Sequence, residues 1–205
     1  EQASTPLPDR LQDYNFLHRH LGSEIFQSEF LQQIDAERPL ELLRQSYHRP
    51  QQASALNRML YMDWKTTLHD NDLVKVNKMC EMAGVTVRYP LLSQEMINLS
   101  CNIPSVDKLQ AKELRKFYKQ AMVGFLPDEI LHKSKHGFGL PFGIWLKDYQ
   151  PLKELAYDSI NSLKKRPYFK EEFLDHTIKM HQSIHAGYYG ELIWVLMMLE
   201  LWFQG

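Results

Sequence analysis

The chain has 205 residues, 44% of them hydrophobic and 12% aromatic, and its 24 Lys and Arg residues nearly balance its 25 Asp and Glu residues. This composition excludes a disordered or fibrous chain, and a formal net charge of -1 removes the electrostatic basis for nucleic acid or an anionic membrane as the main partner. The longest apolar run, Leu192 to Leu199, is too short to cross a bilayer. Two cysteines, Cys80 and Cys101, are typical of a reducing compartment, so we expect a cytoplasmic protein without disulfides.

Hydrophobic residues recur at helical spacing along most of the chain, and no stretch alternates as a half-buried strand would. Prolines and glycines divide this pattern into about ten helices, which predicts an all-α fold. We expect residues 1–9 to be a tail or linker and residues 10–205 to form a single helical domain. The sequence begins Glu1-Gln2-Ala3 without an initiator Met, so we also expect a piece of a longer protein. Examples of the helical spacing are Phe26/Phe30/Ile34, Leu56/Leu60/Trp64/Leu68 and Leu152/Leu155/Leu163.

A helix is predicted from Asp72 to Ala83, with Asp72 and Lys75 one turn apart on the side away from its apolar residues. Such a pair is most often a weak surface salt bridge. It has functional interest only if it faces the same cavity as Lys135.

The segment after this helix is β-branched and ends at Pro90, which favours an extended conformation for Val85 to Tyr89. Ser93 follows and is suited to cap the next helix. Arg88 lies within the segment, which we expect to be partly buried, where an arginine needs an anionic partner. That partner is either a structural carboxylate or a ligand, and the structural ion pair is the simpler interpretation.

A second irregular stretch, residues 133–143, concentrates glycines while keeping two aromatic residues, which indicates an ordered functional loop. Lys135 is a mobile point charge within it, and the amide of a glycine such as Gly137 can approach a ligand closely. This combination suits contact with phosphate or carbonyl oxygens. A solvated loop lysine is the plainer alternative.

Near the C-terminus, His181 and His185 have the i, i+4 spacing of two metal ligands, but no third ligand follows at a recognisable spacing. We therefore predict no metal site.

From Leu192 to Phe203 the sequence is apolar on all sides except at Glu200. A helix of this kind is predicted to be buried all round, either as the central core helix or against another domain.

Taken together, an ordered series of motifs resembles the C-terminal synthetase domain of glutamine-hydrolysing asparagine synthetases. The resemblance extends over about residues 55 to 203. The motifs are Tyr61-x-Asp63-x-Lys65, Asn71 to Met79, Val87 to Leu92, Leu126 to Leu131, Lys135 to Pro141, Trp145-Leu146, and the tail Leu192-Ile193-Trp194 with Leu199-Glu200-Leu201-Trp202.

This resemblance implies the helical C-terminal portion of an adenine-nucleotide alpha-hydrolase-like (PP-loop) synthetase domain. Such an enzyme uses ATP and Mg²⁺ to activate a carboxylate as an acyl-adenylate, which ammonia from an N-terminal glutaminase domain converts to an amide. Lys135 matches the family lysine that contacts the reacting oxygens. Asp72, Lys75, Arg88 and Gly137 are implied as substrate- or ATP-binding residues.

The family's Ser-Gly-Gly-x-Asp-Ser pyrophosphate loop is absent from these residues. We therefore expect an inactive fragment without cofactors, whose partners are an upstream nucleotide-binding sheet and the glutaminase domain, with a homodimer as a further possibility. The family's Glu-x-Arg-x-Pro-x-Leu-Asp reads with Thr86 and Ser93 at the acidic positions, which leaves open an acceptor other than aspartate. The alternative, a function other than catalysis, is a stand-alone helical module that binds another protein.

Overall fold

The chain folds entirely from helices where its structure is described. The computed structural model describes residues 4–15, 18, 22–109, 113–134, 139–183 and 186–205. These ranges contain thirteen α-helices and no strand, only two isolated bridges, Phe26 with Phe169 and Val123 with Leu126. The all-α prediction is confirmed. There are more helices than the ten or so expected because four of them are single turns of four residues.

Two compact units divide the chain, one formed by Glu1–Leu42 with Gly137–Gly205 and the other by Leu43–His136. The domain boundaries given above stay a prediction. The first unit contains a 3₁₀ helix Asp9–Tyr14, α1 Gly22–Ile25, α2 Ser28–Leu31, α10 Phe142–Asp148, α11 Gln150–Leu163, α12 Glu171–Ser183 and α13 Ala186–Gln204. Helix α3, Arg38–His48, crosses the boundary. The second unit contains α4 Ala55–Met62, a π-helix Asp63–Leu73, α5 Val74–Met82, a 3₁₀ turn Pro90–Leu92, α6 Gln94–Asn102, α7 Ser105–Lys108, α8 Lys116–Ala121 and α9 Asp128–Leu131.

Helix α13 is the centre of the first unit and packs against α10, α11 and α12. One side of α13 forms the core with Ile160, Leu163 and Leu174 from its neighbours. The prediction of a central helix is correct, but burial on all sides is wrong. A stripe of Val195, Met198 and Trp202 is exposed, because the other helices cover only part of the circumference. The buried side of α13 carries Leu192, Ile193, Leu196 and Met197.

Helices α10 and α13 approach each other through two glycines. A Cβ placed on Gly190 would lie 2.1 Å from the Cα of Gly143, far inside van der Waals contact. Beside this contact, the ring of Phe142 stacks on Trp194 with centroids 4.2 Å apart. The absence of a side chain on Gly190 therefore allows α10 to lie directly against the core helix.

Glu200, the single acidic residue in the apolar part of α13, is 2% exposed and bound by Arg166. The guanidinium donates from Nε to Oε2 at 2.6 Å and from an Nη to Oε1 at 3.0 Å. Gln204 donates to Oε1, and the Arg166 guanidinium lies 4.4 Å from the Phe203 ring centroid. Hydrogen bonding from Arg166 lowers the pKa of Glu200 below its ordinary value. Glu200, the one charged residue in this apolar stretch, is thus a buried carboxylate whose charge is balanced by Arg166.

We expect Arg166→Met to lower the Tm of the chain at pH 7 by roughly 5 °C, because it leaves the buried carboxylate with only an amide donor. Glu200→Gln should cost less, since the freed arginine is partly exposed and can be hydrated. A group with a lowered folded pKa stabilises the fold above its unfolded pKa and loses that contribution as the pH falls through the folded pKa. The gap in Tm between the chain and Arg166→Met should therefore narrow as the pH falls below about 4.5, the ordinary pKa of a glutamate, as followed by circular dichroism. A gap that widens would contradict this account.

In the second unit, α4, the π-helix and α5 form one unbroken helical stretch. It starts at Ser54, whose hydroxyl accepts a hydrogen bond from the amide of Asn57. At the entry to the π-helix, the hydroxyl of Thr66 donates to the carbonyl oxygen of Met62 at 2.8 Å, which competes with the ordinary α-helical ladder. Asp72 lies in the last turn of the π-helix, whereas the helix predicted from Asp72 to Ala83 begins as an α-helix only at Val74.

Val85 to Tyr89 is non-helical, as predicted, and pairs with no strand. The hydroxyl of Tyr89 donates to Asn77 Oδ1 at 2.8 Å and fastens the segment back onto α5. Ser93 caps α6 by accepting from the amide of Met96, which confirms that prediction. Among the described helices, none combines the length and apolar character that a membrane crossing requires.

Few large hydrophobic side chains of the second unit are buried. The buried ones are Met62, Tyr47 and Leu131. In contrast, Met82 is 81% exposed and Phe125 is 80% exposed. Apolar surface on this scale is typical of an interaction face. Further exposed side chains of the unit are Val74, Met79, Val85, Leu91, Leu99, Val106, Leu109, Leu114, Val123 and Ile130.

We expect the isolated chain to self-associate and to enhance the fluorescence of the dye ANS, because water contact with these side chains is unfavourable. Phe125→Lys should reduce both effects while leaving Tm nearly unchanged, since the phenyl ring contributes little buried area. Sedimentation velocity over a concentration series measures the association. A strictly monomeric chain that binds no ANS would contradict the prediction.

Candidate active site

Asp72 and Lys75 form a direct ion pair. Lys75 Nζ lies 2.9 Å from Asp72 Oδ1, and both side chains are about half exposed, at 59% and 47% for the lysine and the aspartate. The pair spans the junction between the π-helix and α5. π-Helices are rare and are found disproportionately at functional sites. An open pair of this kind contributes little stability, so both groups are available to a ligand.

Arg88 is exposed, which corrects the expectation of partial burial. Its neighbours Val87 and Tyr89 are half-buried, so the extended backbone directs alternate side chains outward and Arg88 is one of them. Within the described ranges the guanidinium has no hydrogen-bond or ionic partner, so the structural ion pair is not observed. Because Tyr89 is bonded to Asn77, Arg88 is held near the same helix that carries Lys75.

Lys135 and Gly137 lie outside the described residues. The chain on either side of them is described. Leu131 is buried at the end of α9, and the loop leads into α10 at Phe142. The roles predicted for Lys135 and Gly137 are therefore not tested by the structure.

A cationic cleft of about 780 Å³ lies in the second unit, immediately before Lys135 in sequence. Within the described part of the chain, Arg115, Lys119 and Lys133 have no ionic partner, whereas Lys116 pairs with Glu113 at 3.1 Å. The polar lining is completed by Gln120, Asp128, His132 and Ser134. Cationic side chains therefore outnumber carboxylates, and the cleft is suited to a multiply charged anion.

Arg115 has a left-handed backbone, with φ 62° and ψ 26°, the only described residue other than glycine with positive φ. That conformation is unfavourable for arginine and recurs at functional sites. The residues of this cleft were not predicted from the sequence. The sequence features that could have indicated it are the i, i+4 spacing of Arg115 and Lys119 and the basic pair His132-Lys133. The same features are common on ordinary solvent-exposed helices.

His181 has no free ring nitrogen for a metal. Nε2 lies 3.0 Å from the carbonyl oxygen of Gly143 and Nδ1 lies 2.9 Å from the hydroxyl of Tyr157. His185 lies outside the described residues. No group of three or more His, Cys, Asp or Glu residues that could hold a metal occurs in the described ranges. That these two histidines form no metal site stays a prediction.

Comparison with known proteins settles the family. A family model described as asparagine synthase matches residues 2–204, almost the whole chain. The chain belongs to the asparagine synthase family. The resemblance inferred from the ordered motifs is thereby confirmed.

Curated relatives of this asparagine synthase-family chain are distant. It is 24% identical over 149 residues to a glutamine-hydrolyzing asparagine synthetase of Bacillus subtilis, covering 73% of the chain and 23% of that protein. It is 23% identical over 145 residues to putative glutamine-hydrolyzing asparagine synthetases of Mycobacterium bovis and Mycobacterium tuberculosis, covering 71% of the chain and 22% of each. The chain thus spans less than a quarter of the length of these relatives. No solved structure matches it significantly.

Proposed function

We infer that this chain is the helical part of the synthetase site of an ATP-dependent amide ligase that uses glutamine as its amide donor. In the proposed reaction, a carboxylate oxygen of the acceptor attacks the α-phosphorus of ATP and pyrophosphate leaves. Ammonia, released when glutamine is hydrolysed to glutamate, then attacks the acyl carbon, and AMP leaves as the amide forms. The observation that carries the proposal is the family match over residues 2–204.

The proposal assigns the charge-stabilising role to Lys135, because an ammonium group beside the reacting oxygens lowers the energy of the transition state. Arg88 and the Asp72–Lys75 pair are proposed to bind substrate or ATP, since they are exposed and Arg88 has no described partner. Gly137 is proposed to bring its backbone amide close to the ligand. The cationic cleft that precedes Lys135 supports this, since ATP and pyrophosphate are multiply charged anions.

Mg²⁺ is proposed for the intact protein only. In the described part of the chain no set of carboxylates converges as a Mg²⁺ site would require. We therefore assign no side chain of this chain to the ion, and the residue roles above do not depend on it.

The acceptor is proposed to be aspartate or a related carboxylic acid. Ser93, which stands where the family has an acidic residue, uses its hydroxyl to cap α6. Thr86, at the other altered position, is exposed. Neither side chain supplies the negative charge that would attract an amino group. An acceptor lacking the α-amino group of aspartate is therefore compatible with this site.

The partners are proposed to be an upstream nucleotide-binding sheet and an N-terminal glutaminase domain of the same protein, in the cytoplasm. Support comes from the length of the relatives and from the apolar side chains that the second unit exposes. Without the sheet, the chain is proposed to be inactive.

The experiment supplies the full-length protein with ATP, glutamine and a panel of carboxylic acids that includes aspartate. We expect one acid to yield amide, AMP and pyrophosphate in equal amounts, and ammonium chloride to replace glutamine. If no acid causes ATP consumption while the protein captures a partner through its exposed helices, the interaction-module alternative is correct instead. Production of ADP and phosphate would also contradict the proposal, since it indicates an acyl-phosphate.

A further inference from the structure

A second cavity of the second unit, of about 410 Å³, has a mainly apolar lining. Cavities of this size and character are typical of small-molecule sites. The described residues that line it come from the loop before α4, from α4, the start of the π-helix, α6 and α7. None of them is among the residues proposed for the synthetase site.

One wall of this cavity is an incompletely covered helix face. Asn57, Leu60, Tyr61 and Trp64 lie at positions i, i+3, i+4 and i+7, so they share one face of α4 and the start of the π-helix. Leu60 is 37% exposed and Trp64 is 40% exposed, although this is the apolar side of the helix. Aromatic rings stack favourably on tryptophan and tyrosine. The wall therefore favours a ligand with a flat aromatic group.

Hydrogen bonds between separate segments hold the walls in place. The hydroxyls of Ser54 and Ser105 lie 2.9 Å apart, which joins the start of α4 to the start of α7. Arg58 donates to the carbonyl oxygens of Pro50 and Gln51, at 3.3 and 2.8 Å, and fixes the loop before α4. Because the walls are already ordered, a ligand loses less free energy to the ordering of its site.

Lys108 is the single fully charged side chain among the described residues of the lining. Its Nζ donates to Asn57 Oδ1 at 3.0 Å, and the side chain is half-buried. No carboxylate lies beside it in the described lining to balance its charge. An ammonium group has three protons and Asn57 accepts one, so an anionic ligand can accept another. One cation in apolar surroundings suits one carboxylate, whereas a polyphosphate is better matched by the cationic cleft.

We propose that this cavity binds a small aromatic carboxylic acid, with its ring against Tyr61 and Trp64 and its carboxylate on Lys108. Charge complementarity with Lys108 and the aromatic wall together select this class of ligand. The site goes beyond the proposed function and does not depend on it, because the two share no described residue.

The test uses phenylpropionate as the probe and its uncharged amide, phenylpropionamide, as the matched compound. Titration calorimetry with the chain measures both affinities. We expect the acid to bind roughly tenfold more tightly than the amide, because a hydrogen bond between charged partners is stronger than one to a neutral group.

Two variants separate the two parts of the site. Lys108→Met keeps an unbranched apolar side chain and should abolish the preference for the acid while leaving the affinity for the amide unchanged. Trp64→Leu should weaken both compounds by a similar factor, because it removes the ring on which they stack. Lys78→Met is the control, since Lys78 is an exposed lysine of α5 that does not line the cavity, and it should leave both affinities unchanged. Circular dichroism verifies that each variant is folded.

Cys101 reports the position of the ligand, because it is exposed and lines the same cavity. Saturating phenylpropionate should slow the alkylation of Cys101 by iodoacetamide roughly tenfold, since a bound ligand fills most of such a cavity and excludes the reagent. The rate at Cys80, which does not line the cavity, should be unchanged. Mass spectrometry of the two peptides measures both rates.

Absence of binding, or equal affinities for the acid and the amide, would overturn the proposal. So would binding that survives both Lys108→Met and Trp64→Leu, since it would place the probe elsewhere, for example in the cationic cleft. Protection of Cys101 that rises with chain concentration alone would show that a second copy occupies the cavity instead. Binding by this chain that the full-length protein lacks would assign the cavity to another segment of that protein. Failure of the proposed function is separate, because it concerns the release of pyrophosphate and not the binding of this probe.

Discussion

Replacement of Lys135 by alanine in the full-length protein is expected to abolish acceptor-dependent pyrophosphate release while glutamine hydrolysis continues. The physical reason is that negative charge develops on the oxygens around the α-phosphorus as pyrophosphate leaves. Groups that stabilise such charge contribute factors of roughly 100 to 1,000 each, and a full positive charge is at the upper end of that effect.

The matched control is Lys179→Ala, which removes a lysine from the exposed face of α12. Pyrophosphate and glutamate are measured in the same reaction, so a folding defect would lower both products. Pyrophosphate release that is unchanged in Lys135→Ala would remove Lys135 from the site, whatever the control shows.

The second large effect is structural and concerns Gly190. Gly190→Ala should destabilise the chain by about 3 kcal/mol or more, because the new Cβ would collide with the backbone of Gly143 and a backbone cannot rotate away as a side chain can. For a chain of this length that free energy corresponds to a loss in Tm of roughly 6 to 12 °C.

Gly187→Ala is the control within the same helix. Nothing lies within 4 Å of the position its Cβ would occupy, and alanine is the better helix former, so its Tm should be unchanged or slightly higher. Thermal unfolding by circular dichroism compares the two variants. Equal Tm values would show that α10 does not contact α13 through these glycines.

Local signals in the sequence predicted the helices well. Ser93 caps α6, and Pro104 and Pro127 immediately precede α7 and α9, because capping and proline chemistry act on neighbouring residues. The extended Val85 to Tyr89 segment was predictable for the same reason. Features that depend only on residues within one helical turn, such as helix starts and caps, can be predicted from the sequence without knowledge of the fold.

Contacts between distant residues were not predictable in this way. Glu200 was visible as an exception in an apolar helix, but its partner is 34 residues away. His181 drew notice for its spacing to His185, whereas its actual bonds are to Gly143 and Tyr157 on other helices. The solvent exposure of Arg88 also depended on tertiary packing. The cationic cleft was not predicted because the spacing of its basic residues is also found on ordinary solvent-exposed helices.

The most direct test of the central claim follows one oxygen atom. The full-length protein is given its acceptor acid labelled with ¹⁸O in the carboxylate, together with ATP and glutamine, and the AMP is examined by mass spectrometry. Formation of an acyl-adenylate predicts one ¹⁸O atom in each AMP, because the carboxylate oxygen that attacks phosphorus leaves with it. AMP without label, or label found in inorganic phosphate, would contradict the assignment of this chain to an adenylating amide ligase.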